Sequence, residues 1–388
     1  MKIIIASFTY PPNVDGVAEA AHNMAESFRH AGHQVFIASF PVSHTTTESA
    51  EDENYVHRFH ITGSPDLFSG FKGETKAYKD FIISLNPDVI VFHGWDTWPV
   101  EVALPLLPLL RAKSILLSHG QSSHLLNLSL LPRGLWKWFR WLPHVCSLPW
   151  KIRRFDKVVF LSHKANWGRF FDARIARFTR ARNIAIIPNG VPELQGTLIE
   201  AFRQRHGVGT GLMFLCIANY SVRKNQERAL RAFAAAALPE ATLVFIGSQL
   251  GDYGKRMVGL WHALQTAGAG GRVLFLEGLE RNETLAALQD CDVMVLAADA
   301  ETQPIVLLEA MAASKPFIST NTGCVEEFKG GIIVRDAAEM AKAMCRLAVS
   351  PIERKLLGKE GRQDYKAHYS LERTSKSWLQ LLEDIVVR

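Results

Sequence analysis

The segment Val293-Met-Val-Leu-Ala297, followed by Glu301-Thr-Gln-Pro-Ile-Val-Leu-Leu-Glu309-Ala-Met-Ala312, decides the fold. The first part is an apolar, β-branched run of strand length. The second has the apolar density of a helix, and Pro304 suits a first helical turn, where its missing N–H costs nothing. Strand, short loop and helix in that order place Glu301 at the carboxyl end of a strand. The amides of Ile305 and Val306 then point out of a helix N-terminus, where backbone donors and the helix dipole favour a phosphate. Glu309 has Ile305, Val306, Ala312 and Ala313 as its helical neighbours. A carboxylate on such a face needs partners to offset desolvation, and the two hydroxyls of a ribose would supply them. The plain alternative is a helix start followed by a Glu that reaches solvent.

The same alternation runs in both directions from this segment. Upstream, Leu212–Ala218, Thr242–Gly247 and Val273–Glu277 read as strands, with Asn225–Ala237 helical between the first two. Phe317–Thr320 follows downstream. Earlier still come Ile3–Phe8, a helix from Val17 to Ala31, then Val35–Ser39, Val89–His93, Ser114–Ser118, Val158–Ser162 and Ile184–Pro188. Repeated strand–helix alternation implies parallel sheets with helices on both faces. The series restarts after Pro188-Asn189-Gly190-Val191, so two doubly wound domains are expected, over 1–188 and 189–367, with an amphipathic helix over 368–388. Sheets of this kind bind ligands at the carboxyl ends of their strands, and two facing domains would place the site in the cleft between them.

Bulk composition agrees with two globular domains. The chain has 388 residues, 48% hydrophobic and 21% charged. Five scattered cysteines without a C-x-x-C pair suggest neither a zinc site nor a disulfide framework, and fit a reducing compartment. The run Ile3–Ala6 is too short for a signal peptide, and no apolar run approaches a membrane span. Ser43–Glu53 is polar and acidic and reads as a surface loop. Charge is uneven. Between Arg133 and Arg182 thirteen Lys and Arg face two acids, a net of +11 in a chain of +6. Five of nine tryptophans share that window: Trp136, Trp138, Trp141, Trp150 and Trp167. Within it, Arg133, Trp136, Lys137 and Arg140 lie on an amphipathic pattern that Pro132, Pro143 and Pro149 should interrupt. Basic residues among Trp and Leu fit an anionic membrane surface better than nucleic acid. The bland reading is that these aromatics pack the first domain's own core.

Four further motifs sit where such sheets bind ligands. In Pro11-Pro12-Asn13-Val14-Asp15-Gly16-Val17, Gly16 permits close backbone approach to a sugar or phosphate before a helix start. His119-Gly120 follows the strand Ser114–Ser118. Ala218-Asn219-Tyr-Ser-Val-Arg223-Lys224-Asn225 places two adjacent cations after a strand, suited to neutralising a departing diphosphate. Gly323-Cys324-Val325-Glu326 follows the strand Phe317–Thr320. Asp290-Cys291-Asp292 spells a D-x-D, but it lies at the amino end of a strand, the wrong end for a site. No Asp/Glu/His cluster has metal spacing, and no strand is followed by the G-x-G-x-x-G of a dehydrogenase.

Together these motifs resemble glycosyltransferase family 4, retaining enzymes of the GT-B fold, which is two Rossmann-like domains across a cleft. The family motif has two Glu separated by seven residues and followed by Ala-Met-Ala. The resemblance implies that Glu301 holds the donor sugar, that Gln303 and the Ile305 and Val306 amides lie along the donor, and that Glu309 binds ribose. It implies that Lys224, with Arg223 and Asn219, meets the diphosphate. Leu279 would lie near the nucleobase, Gly16 near the donor, and His119 as the active-site His of the first domain. It also implies that the terminal helix braces the first domain. Three positions depart from the pattern: Asp15 for Gly, Asn219 for Arg, and Gln303-Pro304 for Phe-Gly.

The implied function is transfer of a hexose from a nucleoside-diphosphate sugar, with retention, no metal and no cofactor. The acceptor would be a saccharide or a lipid-linked glycan, met at the inner face of an anionic membrane by a cytoplasmic, peripheral protein that binds no nucleic acid. Two alternatives stay open: a nucleotide-sugar epimerase of the same fold, and a binding subunit with weak or lost catalysis.

Overall fold

A computed structural model describes residues 1–13, 15–41, 55–120, 133–194 and 202–386, with the side chains at 133, 134, 137 and 138 also left out. The loop expected at Ser43–Glu53 and the start of the amphipathic segment, up to Pro132, lie outside these residues. The chain divides into two compact units, 1–189 with 374–388, and 190–373.

The first unit is built on a seven-stranded parallel sheet with β1 Lys2–Ser7, β2 Gln34–Ser39, β3 Val56–Arg58, β6 Val89–His93, β7 Lys113–Ser118, β8 Lys157–Phe160 and β9 Ile184–Ile186, in the order β3-β2-β1-β6-β7-β8-β9. β4 Ile61–Ser64 and β5 Gly70–Gly73 form a separate antiparallel hairpin. The central strands are buried nearly throughout, as parallel strands covered on both faces must be. The terminal helix Leu371–Val386 completes this core with Trp378, Leu381, Leu382 and Ile385, and Trp378 meets Phe28 edge to face at 6.5 Å.

One expectation needs correction here. Pro143 and Pro149 do not interrupt the amphipathic segment. A single helix runs through both from Arg133 to Arg154. Each proline removes one backbone bond, which the surrounding turns tolerate. Among the described residues no helix is long and apolar enough to cross a membrane.

The second unit carries a six-stranded parallel sheet: β10 Met213–Ile217, β11 Thr242–Gly247, β12 Arg272–Glu277, β13 Val293–Leu296, β14 Phe317–Thr320 and β15 Gly331–Val334, ordered β12-β11-β10-β13-β14-β15. In each unit the chain adds strands to one side of the first strand, then jumps to the other. The reversal falls between β1 and β6 in the first unit, and between β10 and β13 in the second. At such a point the two loops leaving the strands' carboxyl ends diverge and open a crevice for ligand.

Candidate active site

In the second unit, the loops leaving β10 and β13 carry the two residues singled out from sequence. β10 is followed by a short turn, Val222–Lys224, whose Ser221 hydroxyl accepts from the Lys224 amide. β13 is followed by Asp299, Ala300 and Glu301. Across the reversal point Lys224 Nζ is ion-paired to Glu301 Oε1. Both side chains are largely shielded, so the pair is held in a low-dielectric setting where charge counts for more than at an open surface.

The two loops are tied together around that pair. Arg223 donates to the Ala300 carbonyl at 3.2 Å, and the Asp299 amide donates to the Arg223 carbonyl at 3.0 Å. Arg228 donates to the Ala297 carbonyl at 2.8 Å and to Asp299 Oδ1 at 2.6 Å. From β14, the Thr322 hydroxyl accepts from the Glu301 amide at 2.9 Å, and the Cys324 amide donates to the Thr302 carbonyl at 2.9 Å. Gly323 lies between them at φ +56°, where a Cβ would collide with the Glu301–Thr302 backbone. Arg228, Asp299 and Thr322 were not legible as site residues, because each acts on a loop distant in sequence.

The helix Ile305–Ala312 starts immediately after this loop. Pro304 is its cap residue, in extended conformation, one position before the first turn in which the sequence placed it. Ile305 and Val306 are the first two helical residues, and their amides face out of the helix end. Glu309 is 2% exposed, and Arg281, from the start of the helix Arg281–Asp290, is ion-paired to it. A cation therefore offsets the desolvation that the sequence assigned to a ribose. No spacing signal links Arg281 to Glu309. Leu279 is half-buried after Gly278, while Thr302 and Gln303 are buried.

Two expected donor-site residues also make contacts within this unit. Asn219, expected at the donor, accepts at Oδ1 from the Ser248 amide at 3.3 Å, just after β11. Arg223, expected as a second cation for the diphosphate, also braces the Glu301 loop through the Ala300 carbonyl. The D-x-D carboxylates serve the amino end of the sheet. Asp292 accepts from Arg203 at 2.6 Å and from the Met213 amide at 2.8 Å, and Asp290 accepts from the Arg203 amide at 3.2 Å.

In the first unit, Asp15 caps the helix Gly16–His30, accepting from the Val17 and Ala18 amides at 2.8 and 3.0 Å, while Thr9 donates to its other oxygen at 2.6 Å. Asp is among the best N-caps. This corrects the expectation for Gly16: the helix start beside it is already filled by a carboxylate of the chain. His93 ends β6 and His119 follows β7. Their rings stack at 5.4 Å, with His119 Nε2 and His93 Nδ1 3.2 Å apart. Burial pulls the His119 imidazole down to about 4; nearby Asp15 pulls it up and Arg169 down, both more weakly. Nearby, the buried Asp172 carboxylate accepts from Trp95 Nε1 at 2.7 Å and from Ser118 Oγ, and burial pushes its carboxyl pKa above the usual carboxylate range.

The structure also groups Asp96, Glu101 and His144, whose ligand atoms lie within 4.8 Å of one another, a grouping that sequence spacing does not show. Lys151 Nζ is bonded into the cluster, at 2.6 and 2.8 Å from Glu101 and 2.8 Å from His144 Nδ1, so an ammonium supplies its positive charge.

On the amphipathic helix, Leu135, Trp136 and Phe139 are exposed, Trp136 by 57%. Trp136 stacks on Phe68 from the β4–β5 turn at 5.5 Å and on Phe139 at 6.0 Å. Leu67 and Phe68 are exposed beside them. Arg140 is not an uncommitted surface cation as expected. It pairs with the buried Asp66 at 2.6 Å and so fastens the turn to the helix. Burial pushes the Asp66 carboxyl up, but hydrogen bonds from Ser64, Phe68, Ser69 and Arg140 outweigh it and hold it well below its ordinary range. The Arg133 and Lys137 side chains lie outside the described residues. Some of the Trp–Arg interleaving is internal: Arg154 lies 4.8 Å over Trp150, and Arg174 lies 5.4 Å over Trp167.

Comparison with known proteins bears on the arrangement at the second reversal point. Residues 14–193 match the model described as Glycosyltransferase Family 4, and residues 199–364 match Glycosyl transferases group 1. The chain belongs to glycosyltransferase family 4. It is 24% identical, over 82% of its own length and 71% of the relative's, to the alpha-monoglucosyldiacylglycerol synthase of Streptococcus pneumoniae. Among solved structures it matches sucrose-phosphate synthase from Thermosynechococcus elongatus, with TM-score 0.78 and 18% identity over 100% of this chain and 99% of that one. It also matches Anabaena HepE in complex with UDP and glucose, with TM-score 0.74 and 15% identity over 99% and 100%. These structural neighbours establish the GT-B fold for this glycosyltransferase.

Proposed function

We propose that this glycosyltransferase moves a hexose from a nucleoside-diphosphate sugar to a lipid-linked acceptor, with retention and without a metal. The observation that carries the reading is the Lys224–Glu301 pair at the β10–β13 reversal point, beside the helix start that leads to Glu309. In this reading the diphosphate takes Lys224 and the Ile305 and Val306 amides. Glu301 holds the sugar hydroxyls, and the ribose joins Arg281 on Glu309. That HepE was solved with UDP and glucose supports a nucleotide-sugar donor here.

The transfer we infer is front-face attack. The acceptor oxygen forms a bond to the anomeric carbon as the bond from that carbon to the diphosphate oxygen breaks. The acceptor's proton passes to the departing diphosphate, and Lys224 offsets the charge that develops there. The test is release of free nucleoside diphosphate from a panel of sugar nucleotides, followed by NMR of the fresh product. Retention predicts the donor's anomeric configuration and a rate indifferent to chelator. An inverted product would overturn the mechanism. An epimerase would return an altered sugar nucleotide, and a binding subunit would give a thermal shift without turnover.

The lipid-linked acceptor rests on the exposed patch Leu67, Phe68, Leu135, Trp136 and Phe139 in a region of net positive charge. The relative named as a monoglucosyldiacylglycerol synthase supports the same class. Apolar side chains at a membrane interface add to about 1 kcal/mol from each basic residue near anionic lipid. Sedimentation should show stronger binding to anionic than to neutral liposomes, weakening with salt. Binding should fall in Arg133→Glu/Lys137→Glu and in Phe68→Ser/Trp136→Ser. Arg140 should be kept, because reversing it would strand Asp66. Equal partitioning to both vesicle types would point to a soluble acceptor.

A further inference from the structure

We propose that a basic cleft at the amino ends of β7 and β8 binds the phosphate of an anionic lipid, so that the helix Arg133–Arg154 lies along the membrane and is held at both ends. The placing against a membrane rests on the reading of the Phe68 and Trp136 patch given above. The cleft adds a head-group site at the other end of the same helix, within the first unit alone.

The helix connects the two. Its exposed positions recur at Trp136, Phe139, Pro143, Cys146, Trp150 and Arg153. Steps of three and four keep to one face of a helix, so the stripe is continuous over roughly 25 Å at 1.5 Å per residue. None of its six residues is acidic. Leu148, Lys151 and Ile152 are buried between its members, which turns the aromatic stripe outward.

The stripe ends at the cleft, which has a volume of about 340 Å³. Arg111, Lys113, Arg153 and Arg154 line it against one acid, Asp156. Asp156 is already engaged: it accepts from the Ser114 amide at 2.8 Å and from the Ser114 hydroxyl at 2.9 Å, and it lies 3.8 Å from Lys113. The negative end of the helix dipole offsets about half a charge more. More than two of the four positive charges are left. Arg111 and Arg154 have no carboxylate and no hydrogen-bond acceptor among the described residues; Arg154 lies over the Trp150 ring. Arg153 spends one donor on the Thr179 carbonyl at 3.0 Å and keeps the others.

A concave lining of one sign concentrates counter-ions, and guanidinium forks match the paired oxygens of a phosphate. The rim selects a lipid over a soluble phosphate. Leu109, two residues before Arg111, is 80% exposed, and Trp150 is exposed beneath Arg154. A soluble anion would leave that apolar surface in water, whereas a membrane interface covers it. His119 follows the carboxyl end of β7, so the cleft lies at the far end of that strand, and a lipid bound there is an anchor and not the acceptor.

The experiment is sedimentation of the full chain with vesicles of phosphatidylcholine, with and without phosphatidylglycerol. Arg111→Gln/Arg154→Gln should weaken binding to the phosphatidylglycerol vesicles roughly 25-fold, about fivefold for each cation, and leave binding to pure phosphatidylcholine unchanged. Lys355→Gln/Lys359→Gln removes two exposed cations from the second unit and should cost less than about twofold. Wild-type binding in the arginine variant, confirmed folded by circular dichroism, overturns the proposal. So do equal losses in the two double variants, which would mean diffuse charge and no site. Inorganic phosphate that raises the melting temperature of wild type but not of the arginine variant, with no preference for phosphatidylglycerol vesicles, would assign the cleft to a soluble anion and overturn the lipid. Phe68→Ser/Trp136→Ser separates the two readings. Loss there with normal binding in the arginine variant keeps the patch and strikes the cleft; the reverse keeps the cleft and strikes the patch.

Discussion

Glu301→Ala and Lys224→Ala are each expected to lower turnover by a factor of roughly 100 or more. The two residues flank the reversal point of the second sheet on different loops, and each holds the other in place. Removing Lys224 deletes the cation proposed to offset charge on the departing diphosphate and releases the Glu301 side chain. Removing Glu301 deletes the proposed sugar contact and leaves Lys224 unsteered. Because each variant damages both functions, the double variant should be little worse than either single one, the non-additivity of residues that act as a unit. Glu309→Ala should differ in kind. It lies further along the helix with Arg281, and its loss should raise the donor KM more than it lowers turnover. Steady-state kinetics on all four variants, with melting curves to exclude global unfolding, make the comparison. Near-normal turnover in both Glu301 and Lys224 variants would remove the second unit's reversal point as the reacting centre.

Gly323→Ala should be almost as damaging, although residue 323 offers no side chain to chemistry. A Cβ there would overlap the Thr302 carbonyl oxygen and lie 2.8 Å from the Glu301 carbonyl. The backbone at φ +56° adds about 1–2 kcal/mol for any residue but glycine. The loop from β14 must then withdraw from the loop from β13. That withdrawal breaks the Thr322 and Cys324 bonds that hold Glu301 and Thr302. A displacement of about 1 Å at the reacting centre is enough to cost on the order of 100-fold. Melting temperature should fall by several degrees together with turnover, and saturating donor should not restore the rate. A variant with wild-type turnover would mean that this loop contact does not position Glu301.

The strands were readable because buried parallel strands are continuous apolar runs. Val89–His93, Thr242–Gly247 and Phe317–Thr320 have the bounds the sequence suggests, and most others differ by a residue or two. What escaped was short or glycine-rich. β3 spans three residues, and the β4–β5 hairpin and β15 carry glycines where a periodic signal would be. In the candidate site, Glu301 and Lys224 were legible because each stands just after a strand. Their pairing was not, since it depends on strand order and not on spacing. The same holds for Arg281 on Glu309 and for Arg140 on Asp66, where partners distant in sequence decide whether a charge is available. Asp15 shows the converse: a departure from a motif that reads as a loss is, in the fold, a helix cap.

The terminal helix has a consequence in time. Trp378, Leu381, Leu382 and Ile385 are buried in the core of the first unit, but the segment 190–373, the whole of the second unit, is synthesised before them. At roughly 5–20 residues per second, a nascent first unit waits on the order of 10–40 s with that part of its core uncovered. During the wait Phe28 and its neighbours present an apolar face that Trp378, Leu381, Leu382 and Ile385 cover later. The second unit, whose residues are contiguous, has no such interval and can finish folding first, although it begins later.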